Sequence, residues 1–314
     1  MKIINTIDEV DNVNTKKAFV PTMGALHKGH VSLVSHAKEF NVPIWMSIFV
    51  NKLQFNDSED FNIYPRNIEK DIDIAKSAGV DVLYIPDHEY VYRNYNGEKR
   101  DLSLLAGKVG KRLEGKSRPG HFDGVLKVMD SLLTDVQPQY SFLGRKDAQQ
   151  FFIVSTKLQK KHKGVHFVAC PTVREDNGLA LSSRNSLLST QGKKYARCFF
   201  LTLSKIAEEK NLKPFLTQSV LEEKFYSQEF KGVNLDYIRF INSNSFDVPI
   251  QGDFEYSNFS EGTKEFYILI AGEVEGVRLI DNMHIYYEGS EHVSFDLGIS
   301  KEKHMMVNHN SLKG

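Results

Sequence analysis

The chain has 314 residues, of which 41% are hydrophobic and 25% charged, which suits one large globular domain or two smaller ones. Acidic and basic residues number 40 each, so neither a nucleic acid nor an anionic membrane is an expected partner. We expect a cytoplasmic protein, because two cysteines are too few for a disulfide scaffold, the N-terminus turns acidic too early for a signal peptide, and no apolar run approaches the roughly 20 residues of a membrane span.

Short apolar runs alternate with helical patterns through the first half of the chain. Strands are predicted at 18–20, 43–50, 80–85, 140–143 and 165–169, and helices at about 31–37, 67–78, 125–133 and 148–158. Asn67 is a suitable N-cap for the second helix, and Gly79 a suitable stop after it. This alternation predicts an α/β fold, with a parallel sheet that helices cover on both faces. Ligands of such sheets bind beyond the carboxyl ends of the strands.

The pattern changes after about Cys170. Helical patterns at 190–209 and 216–225 precede separated strands at 235–241, 265–271 and 277–280, which predicts a smaller α+β domain. The segment 171–185 is polar and turn-rich, and we interpret it as a hinge with its adjoining loop. Residues after about Tyr287 show no clear pattern. We therefore divide the chain into 1–172, 173–286 and an unassigned tail, 287–314.

The segment 21–30 (PTMGALHKGH) is the most informative part of the chain, because it joins the first of these strands to its helix. A helix N-terminus offers unpaired N–H groups and a partial positive charge, and it therefore attracts phosphate. Two imidazoles at this place, His27 and His30, could donate hydrogen bonds to phosphoryl oxygens. Alternatively, one histidine belongs to the core and the other caps the helix. The segment alone leaves both interpretations open.

Polar side chains follow the strand at 43–50 and precede the helix at 125–133. Asn51 and Gln54 could hold a hydroxyl and a carboxylate, although asparagine at a strand end is also ordinary turn chemistry. Arg118 and His121 could meet an anion or brace their loop, and bracing is slightly favoured.

A second strand-turn-helix segment lies at 142–150. Gly144 permits close backbone approach, and Lys146 is a point charge suited to phosphate. Asp147 either caps the next helix or accepts from a ribose hydroxyl, and Gln150 lies one turn further on. These residues could therefore line a nucleotide site.

Two adjacent hydroxyls and a cation, Ser182, Ser183 and Arg184, stand in the polar segment at 174–185. They could clamp a phosphate from a mobile segment. They could equally cap the helix that follows. Nothing in this stretch alone separates the two interpretations.

Each segment has an ordinary structural explanation, but their occurrence together and in this order does not. From about Val20 to Asn185 they resemble the pantoate–beta-alanine ligase (pantothenate synthetase) family of the nucleotidyltransferase superfamily, which carries the His-x-Gly-His signature. The resemblance continues weakly to 278–282 (RLIDN). It implies a Rossmann-like domain with a smaller lid-like domain, paired as a homodimer. It also implies ATP-dependent condensation of (R)-pantoate with beta-alanine through a pantoyl-adenylate, with Mg²⁺ on the phosphates.

The resemblance also implies roles for residues of this sequence. His27, His30 and Lys146 would be catalytic and bind the phosphates, with His30 in the position of the proton donor. Gln54 and Gln150 would hold pantoate, with Asn51 beside them. The other ATP contacts would be Met23, Gly24, Gly144, Arg145, Asp147, Val173, Leu181, Ser182, Ser183 and Arg184. No residue is assigned as a metal ligand.

This sequence departs from the family pattern at four positions. Lys52 replaces a usual proline, Lys127 a usual threonine and Leu181 a common methionine, and Arg145 adds a cation beside Lys146. None of these changes removes a residue with an expected chemical role. Lys52 and Arg145 bear on substrate affinity more than on the type of reaction.

Two other functions stay open at this point. One is a nucleotidyltransferase that stops at a nucleotidyl phosphoester, but the paired glutamines favour a small polar carboxylate as the partner instead. The other is a non-catalytic nucleotide-binding protein, but ATP binding alone would not need both histidines and Lys146.

Overall fold

The computed structural model describes residues 1–10, 16–56, 58–92, 103–209, 213–228, 232–249, 264–287, 293–300 and 304–308. The chain folds as two compact units. The first comprises Met1–Arg145 with Gln149–Cys170, and the second comprises Lys146–Ala148 with Pro171–Gly314. Lys146–Ala148 thus belong to the second unit although they precede residue 172, and the domain limits drawn from the sequence stay a prediction.

A six-stranded sheet forms the centre of the first unit, and all its strand pairs are parallel. Its strands are β1 (Lys2–Ile4), β2 (Ala18–Thr22), β3 (Ile44–Ile48), β4 (Val82–Tyr84), β5 (Tyr140–Gly144) and β6 (His166–Cys170). They lie in the order β1-β4-β3-β2-β5-β6. After β2 the chain adds β3 and then β4 on one side of that strand, and after β5 it adds β6 on the other side. The switch point, at which such sheets bind ligands, therefore lies between β2 and β5.

Helices cover both faces of this sheet, and the predicted α/β class is confirmed. They are α1 (Lys28–Lys38), α2 (Ser58–Ile63), α3 (Ile68–Ala78), α4 (His88–Tyr92), α5 (Glu114–Ser117), α6 (His121–Val136) and α7 (Ala148–Leu158). Neighbouring residues of a strand point to opposite faces. Val20 and Met46 therefore pack with α1 and α3, while Phe19 and Trp45 pack with α6 and α7.

The ends predicted for α3 are confirmed. The Asn67 side chain accepts a hydrogen bond from Lys70 N at 3.0 Å, which satisfies one of the unpaired N–H groups at the helix start. Gly79 ends the helix in the left-handed region, with φ at 86°.

An antiparallel sheet and three α-helices form most of the described part of the second unit. Its strands are β8 (Val233–Asn242), β9 (Lys264–Val274), β10 (Val277–Tyr287), β11 (Val293–Ser300) and β12 (His304–Asn308), in the order β12-β11-β10-β9-β8. The short strand β7 (Val173–Arg174) pairs with β11 in parallel. The helices are α8 (Thr190–Ala196), α9 (Cys198–Ala207) and α10 (Gln218–Tyr226), and α9 and α10 pack on β8–β10 in one apolar core. The predicted smaller α+β region is confirmed.

One sequence-based expectation for this unit was wrong, and the unassigned tail contains strands. The single helix predicted at 190–209 is broken at Arg197, and Ala196 and Cys198 on either side are both buried in the same core. The tail after Tyr287 holds two strands. Its apolar residues are few, but Phe295 and Leu297 alternate with polar neighbours and face the core, a pattern too short to stand out in the sequence. The segment 171–185 also holds more structure than a hinge loop, since it contains β7 and the start of a 3-10 helix, Ser183–Leu187.

Among the residues that the structure describes, no helix combines the length and apolar character needed to cross a bilayer.

Candidate active site

One carboxylate holds the turn that follows β2. Asp71, on α3 and 3% exposed, accepts hydrogen bonds from Ala25 N at 2.8 Å and from Leu26 N at 2.7 Å. Gly24 has a φ of +77°, and a Cβ there would lie 2.9 Å from Asp71 Oδ2. Glycine is therefore required for the backbone to approach this carboxylate. The turn leads directly into α1.

His27 and His30 cap the N-terminus of α1 reciprocally. His27 Nδ1 accepts from Gly29 N at 3.1 Å, and His30 Nδ1 accepts from His27 N at 3.3 Å. The ring centroids are 4.1 Å apart. Since Nδ1 of each ring is an acceptor, a neutral ring carries its proton on Nε2, where it can donate. Both rings are partly exposed, so capping orients the two histidines and neither belongs to the core.

The Gln54 side chain is held by its neighbours in the turn after β3. Asn51 is fully buried, and its Nδ2 donates to Gln54 Oε1 at 2.8 Å and to Gly124 O at 3.0 Å. The hydroxyl of Tyr92 donates to Asn51 Oδ1, and burial raises the pKa of Tyr92, which keeps it a donor. Gln54 Nε2 lies 3.0 Å from the Met23 sulfur. The structure thus brings Asn51, Gln54 and Met23 together.

Arg118 and His121 brace this turn, as the sequence slightly favoured. His121 Nδ1 lies 2.8 Å from Gln54 O, and an Arg118 guanidinium nitrogen lies 3.3 Å from the same oxygen. A Cβ on Gly124 would lie 2.2 Å from Leu53 O, so α6 packs directly on the backbone of the turn. The turn is therefore fixed both through the Gln54 side chain and through its backbone.

The two glutamines at the start of α7 have different environments. Gln149 is 4% exposed, and its Nε2 donates to Val109 O at 2.9 Å and Arg112 O at 2.8 Å. Its Oε1 accepts from Glu114 N at 3.1 Å. Gln150 is half-buried. Gln149 therefore holds its loop, which leaves Gln150 as the member of the pair suited to a ligand.

The residues after β5 form one turn of 3-10 helix, Arg145–Asp147. No atom lies within 4 Å of a Cβ built on Gly144, so the backbone is open to close approach there. Lys146 is 19% exposed, with Nζ 3.8 Å from Asp147 Oδ1, and its carbonyl accepts from Asn282 Nδ2 at 2.8 Å. Asp147 is half-exposed and Arg145 half-buried.

The segment from Val173 to Arg184 folds back on itself in the second unit. Leu181 N donates to Val173 O at 2.9 Å. The Ser182 side chain accepts from Arg184 N at 3.3 Å and begins the 3-10 helix Ser183–Leu187. The sequence-predicted residues Val173, Leu181, Ser182, Ser183 and Arg184 are all partly exposed. Ser182 thus caps this 3-10 helix, whereas the predicted helix that follows, α8, is capped by Ser189.

Burial disfavours the thiolate form of both cysteines at neutral pH. Burial raises the pKa of Cys170 and of Cys198 to about 12. A thiolate is the reactive form of cysteine, and it is therefore scarce at both positions.

Sequence reasoning missed the residues that hold the others. Asp71 could have been found from its spacing, because it lies four residues before the buried Ala75 and so on the inward side of α3. Tyr92 carries no such signal, since its partner is 41 residues away. Asn282 stands in the RLIDN segment of the family resemblance, but its partner, 136 residues away, could not be predicted.

Comparisons with known proteins show which family this chain resembles. The family model described as pantoate-beta-alanine ligase matches residues 2–284. A pantothenate synthetase of Cytophaga hutchinsonii is 38% identical over 87% of this chain and 92% of its own length. One from Wolinella succinogenes is 39% identical over 85% and 92% respectively.

Solved structures of this family resemble the chain as well. The crystal structure of pantothenate synthetase from Thermus thermophilus has a TM-score of 0.75 and 32% identity, over 90% of this chain and 98% of that one. The Francisella tularensis enzyme, solved with beta-gamma ATP and beta-alanine, has a TM-score of 0.68 and 33% identity over 90% and 97%. The family match and these identities, each over more than four-fifths of the chain, lead to one conclusion: this chain belongs to the pantoate–beta-alanine ligase family.

Proposed function

We propose that this chain condenses (R)-pantoate with beta-alanine to give pantothenate, AMP and pyrophosphate, through a pantoyl-adenylate that the chain binds without a covalent bond. The observation that carries the proposal is the reciprocal histidine cap of α1, since it orients two imidazole donors at a helix end that favours phosphate. Its position after β2, beside the switch point of the parallel sheet, agrees with where such folds bind nucleotides.

The chemistry explains why cations and hydrogen-bond donors suffice. A carboxylate is a poor acyl donor, because its oxygen is a poor leaving group. Attack of the pantoate carboxylate on the α-phosphorus of ATP forms a mixed anhydride and releases pyrophosphate. The amine of beta-alanine then attacks the acyl carbon, and AMP leaves. The first step requires alignment and charge stabilisation rather than a protein nucleophile, in agreement with the raised pKa values of Cys170 and Cys198.

We propose that His27, His30 and Lys146 bind the phosphates of ATP. Negative charge grows on the oxygens between the α- and β-phosphorus as pyrophosphate leaves. His27, His30 and Lys146 would stabilise it, with His30 donating a proton. The rest of the nucleotide would be held by the ATP-contacting positions that the resemblance implies: Met23, Gly24, Gly144, Arg145, Asp147, Val173, Leu181, Ser182, Ser183 and Arg184.

Pantoate is the ligand that we propose for Gln54 and Gln150. The amide of Gln54 is oriented, since its oxygen accepts from Asn51 and its nitrogen lies against Met23. A fixed amide nitrogen can donate to a carboxylate or hydroxyl of the substrate. Asn51 is fully buried and already bonded to Gln54 and Gly124. We therefore propose that Asn51 acts on pantoate through Gln54.

Mg²⁺ is the metal that we propose for the reaction. Magnesium prefers oxygen ligands and retains much of its water, whereas the residues assigned to the phosphates are mainly histidines, lysine and arginine. We therefore propose that the ion is held by the ATP phosphates and by water, with no ligand from this chain. It would neutralise phosphate charge alongside Lys146.

A homodimer in the cytoplasm is the state that we propose for the active protein, on the basis of the family resemblance alone. Analytical ultracentrifugation at concentrations used in the assay would test the dimer.

Isotope exchange tests the reaction order. With ATP, Mg²⁺ and pantoate but no beta-alanine, labelled pyrophosphate should exchange into ATP, because adenylate formation is reversible and needs no amine. Omission of pantoate is the control and should abolish exchange. Exchange that strictly requires beta-alanine would contradict a separate adenylate step. Formation of pantothenate and AMP in the complete mixture distinguishes this function from a nucleotidyltransferase that stops at a phosphoester and from a non-catalytic nucleotide-binding protein.

A further inference from the structure

Asn282 connects the RLIDN motif of β10 to Lys146, a contact that the proposed function leaves unexplained. Its side chain is 4% exposed, and its Nδ2 donates to Lys146 O at 2.8 Å across 136 residues of sequence. We propose that Asn282 is a positioning residue, which fixes the backbone of Lys146 and so directs its ammonium group to the ATP phosphates. This inference rests on the proposed role of Lys146.

Lys146 needs such a restraint because of the structure on either side of it. It lies in a single 3-10 turn between β5 and α7, and hydrogen bonds in such turns have poorer geometry than those of an α-helix. The position of the Lys146 Cα sets the region that its long, flexible side chain can reach. The carboxylate oxygen Oδ1 of the adjacent Asp147 is 3.8 Å from Nζ, which is beyond hydrogen-bond distance. The carbonyl contact therefore restrains the residue at its backbone.

The anchor itself is rigid. The neighbouring Asp281 forms a bidentate ion pair with Arg174, at 2.6 and 2.8 Å. Arg174 is 1% exposed and Asp281 4%. A guanidinium nitrogen of Arg174 also donates to Asn282 O at 3.2 Å. A two-bond pair between an arginine and a carboxylate is geometrically specific, so the backbone from which Asn282 extends is held in place.

The same arginine restrains a second segment proposed to contact ATP. Arg174 follows Val173 in β7, and its NH1 donates to Gly178 O at 3.0 Å. The guanidinium carbon lies 4.9 Å from the centre of the Phe200 ring. One buried network thus reaches both Lys146 and the start of the segment that leads to Ser182. This arrangement gives Asp281 and Asn282 of the RLIDN motif a role in holding the nucleotide contacts of the second unit.

The chemistry at position 282 requires a donor. Lys146 O can only accept, so a side-chain N–H is needed opposite it. An aspartate at 282 would have the same shape, but it would place a carboxylate against a carbonyl oxygen and beside Asp281. A purely structural asparagine would contribute to stability, and its removal would slow the reaction by the same factor whether or not Lys146 is present.

A double-mutant cycle tests the inference. A positioning role predicts that the effects of the Asn282 and Lys146 substitutions on the rate are coupled, whereas a purely structural role predicts that they are independent. The rate of pantoyl-adenylate formation is measured in single turnovers for the wild type, Asn282→Ala, Lys146→Ala and the double variant. We expect Asn282→Ala to slow adenylate formation by about ten- to a hundredfold, as a small misplacement of a catalytic group does. In the Lys146→Ala background, the same substitution should slow it by no more than about twofold.

Two controls accompany the cycle. Arg278 lies in the same motif, and its ion pair with Asp236, at 2.8 Å, is partly exposed. Arg278→Ala should therefore leave the rate of adenylate formation within about twofold of the wild-type rate. Amide formation from preformed pantoyl-adenylate should also stay near the wild-type rate in Asn282→Ala. If Asn282→Ala does not fold, as judged by thermal melting, Asn282→Leu removes the donor while keeping a side chain of similar size, and it carries the same comparison.

The possible results separate the two proposals. Equal slowing by Asn282→Ala in both backgrounds, or equal loss in both half-reactions, would overturn the positioning role and leave the role of Lys146 intact. A wild-type rate in Asn282→Ala would do the same. If Lys146→Ala alone forms adenylate at the wild-type rate, the role proposed for Lys146 is wrong, and the positioning role falls with it.

Discussion

The side-chain amide of Asn51 donates from Nδ2 to Oε1 of Gln54 at 2.8 Å. This bond determines which end of the Gln54 amide is left for a ligand, because the oxygen is already paired with Asn51. The nitrogen of Gln54 remains directed toward Met23, at 3.0 Å from the sulfur. The side chain proposed to hold pantoate is therefore presented as a donor, which suits a carboxylate or hydroxyl oxygen.

Gln54→Ala and Gln150→Ala should weaken pantoate binding much more than ATP binding. Each removes a hydrogen bond to a bound polar group, at a cost of about 1–3 kcal/mol, or a rise in Kd of about five- to 150-fold. Isothermal titration with each substrate measures both affinities. Gln159→Ala, at an exposed residue immediately after α7, is the matched control. Equal losses for ATP and pantoate in both variants would mean that these glutamines belong to a different pocket.

Tyr92→Phe should change how stability depends on pH. Burial raises the pKa of Tyr92 in the folded protein, so above the ordinary tyrosine value of about 10 the unfolded chain loses this proton first. The wild type should therefore lose stability relative to Tyr92→Phe as pH rises above about 10, and the difference should be constant below that value. Urea unfolding at several pH values measures it. Tyr226→Phe, at a side chain that is 61% exposed, should show no such difference, and a pH-independent gap for Tyr92→Phe would contradict the prediction.

Asp71→Asn should destabilise the protein and slow adenylate formation. One of the two backbone donors, Ala25 N or Leu26 N, would then face the amide nitrogen instead of an oxygen. An unsatisfied buried donor costs about 1–3 kcal/mol. Guanidinium unfolding and single-turnover kinetics measure the two effects. Asp73→Asn, on the exposed side of the same helix, is the control. An unchanged turnover rate with reduced stability would show that the turn does not need this carboxylate for catalysis.

His30→Ala and Lys146→Ala should each slow adenylate formation by roughly 10²–10³-fold, as the loss of one preorganised donor does in other enzymes. The groups are proposed to act on pyrophosphate departure, so the loss should appear in kcat. Supplied with preformed pantoyl-adenylate and beta-alanine, both variants should recover much of their turnover. Lys157→Ala, an exposed cation on α7, serves as the control. Folded variants that lose both half-reactions equally would show that the two residues are not specific to the first step.

Hydrogen exchange should slow across 177–185 when a non-hydrolysable ATP analogue binds. The segment has its own hydrogen bonds, such as Asn185 Nδ2 to Ala180 O at 3.0 Å, but Ser182, Ser183 and Arg184 stay partly exposed. Phosphate contacts would add protection to their amides. The buried strand β3 should show no change and gives the baseline. Unchanged exchange at saturating analogue would make the segment a cap of fixed structure.

Most of the first sheet could be predicted from the sequence, because parallel strands buried on both faces leave continuous apolar runs such as 43–50. Local chemistry also determined the ends of α3, where Asn67 and Gly79 act within one turn of their own positions. The tail after Tyr287 could not be predicted in this way. Whether Phe295 and Leu297 face a core depends on the antiparallel pairing of β11 with β10, and that pairing involves residues distant in sequence.

The sequence by itself determined the family and the residue types at the site, since the motifs at 21–30, 51–54, 144–150 and 173–184 are each contiguous. The tertiary structure decided how those residues are held. Asp71 reaches the turn before α1 from 45 residues away, and Asn282 reaches Lys146 from 136. A hydrogen bond between such distant residues leaves no periodicity in the sequence, because its geometry exists only once the strands and helices have packed. The residue types at the site could therefore be predicted from the sequence. The hydrogen bonds that orient their side chains and backbone form only in the tertiary structure.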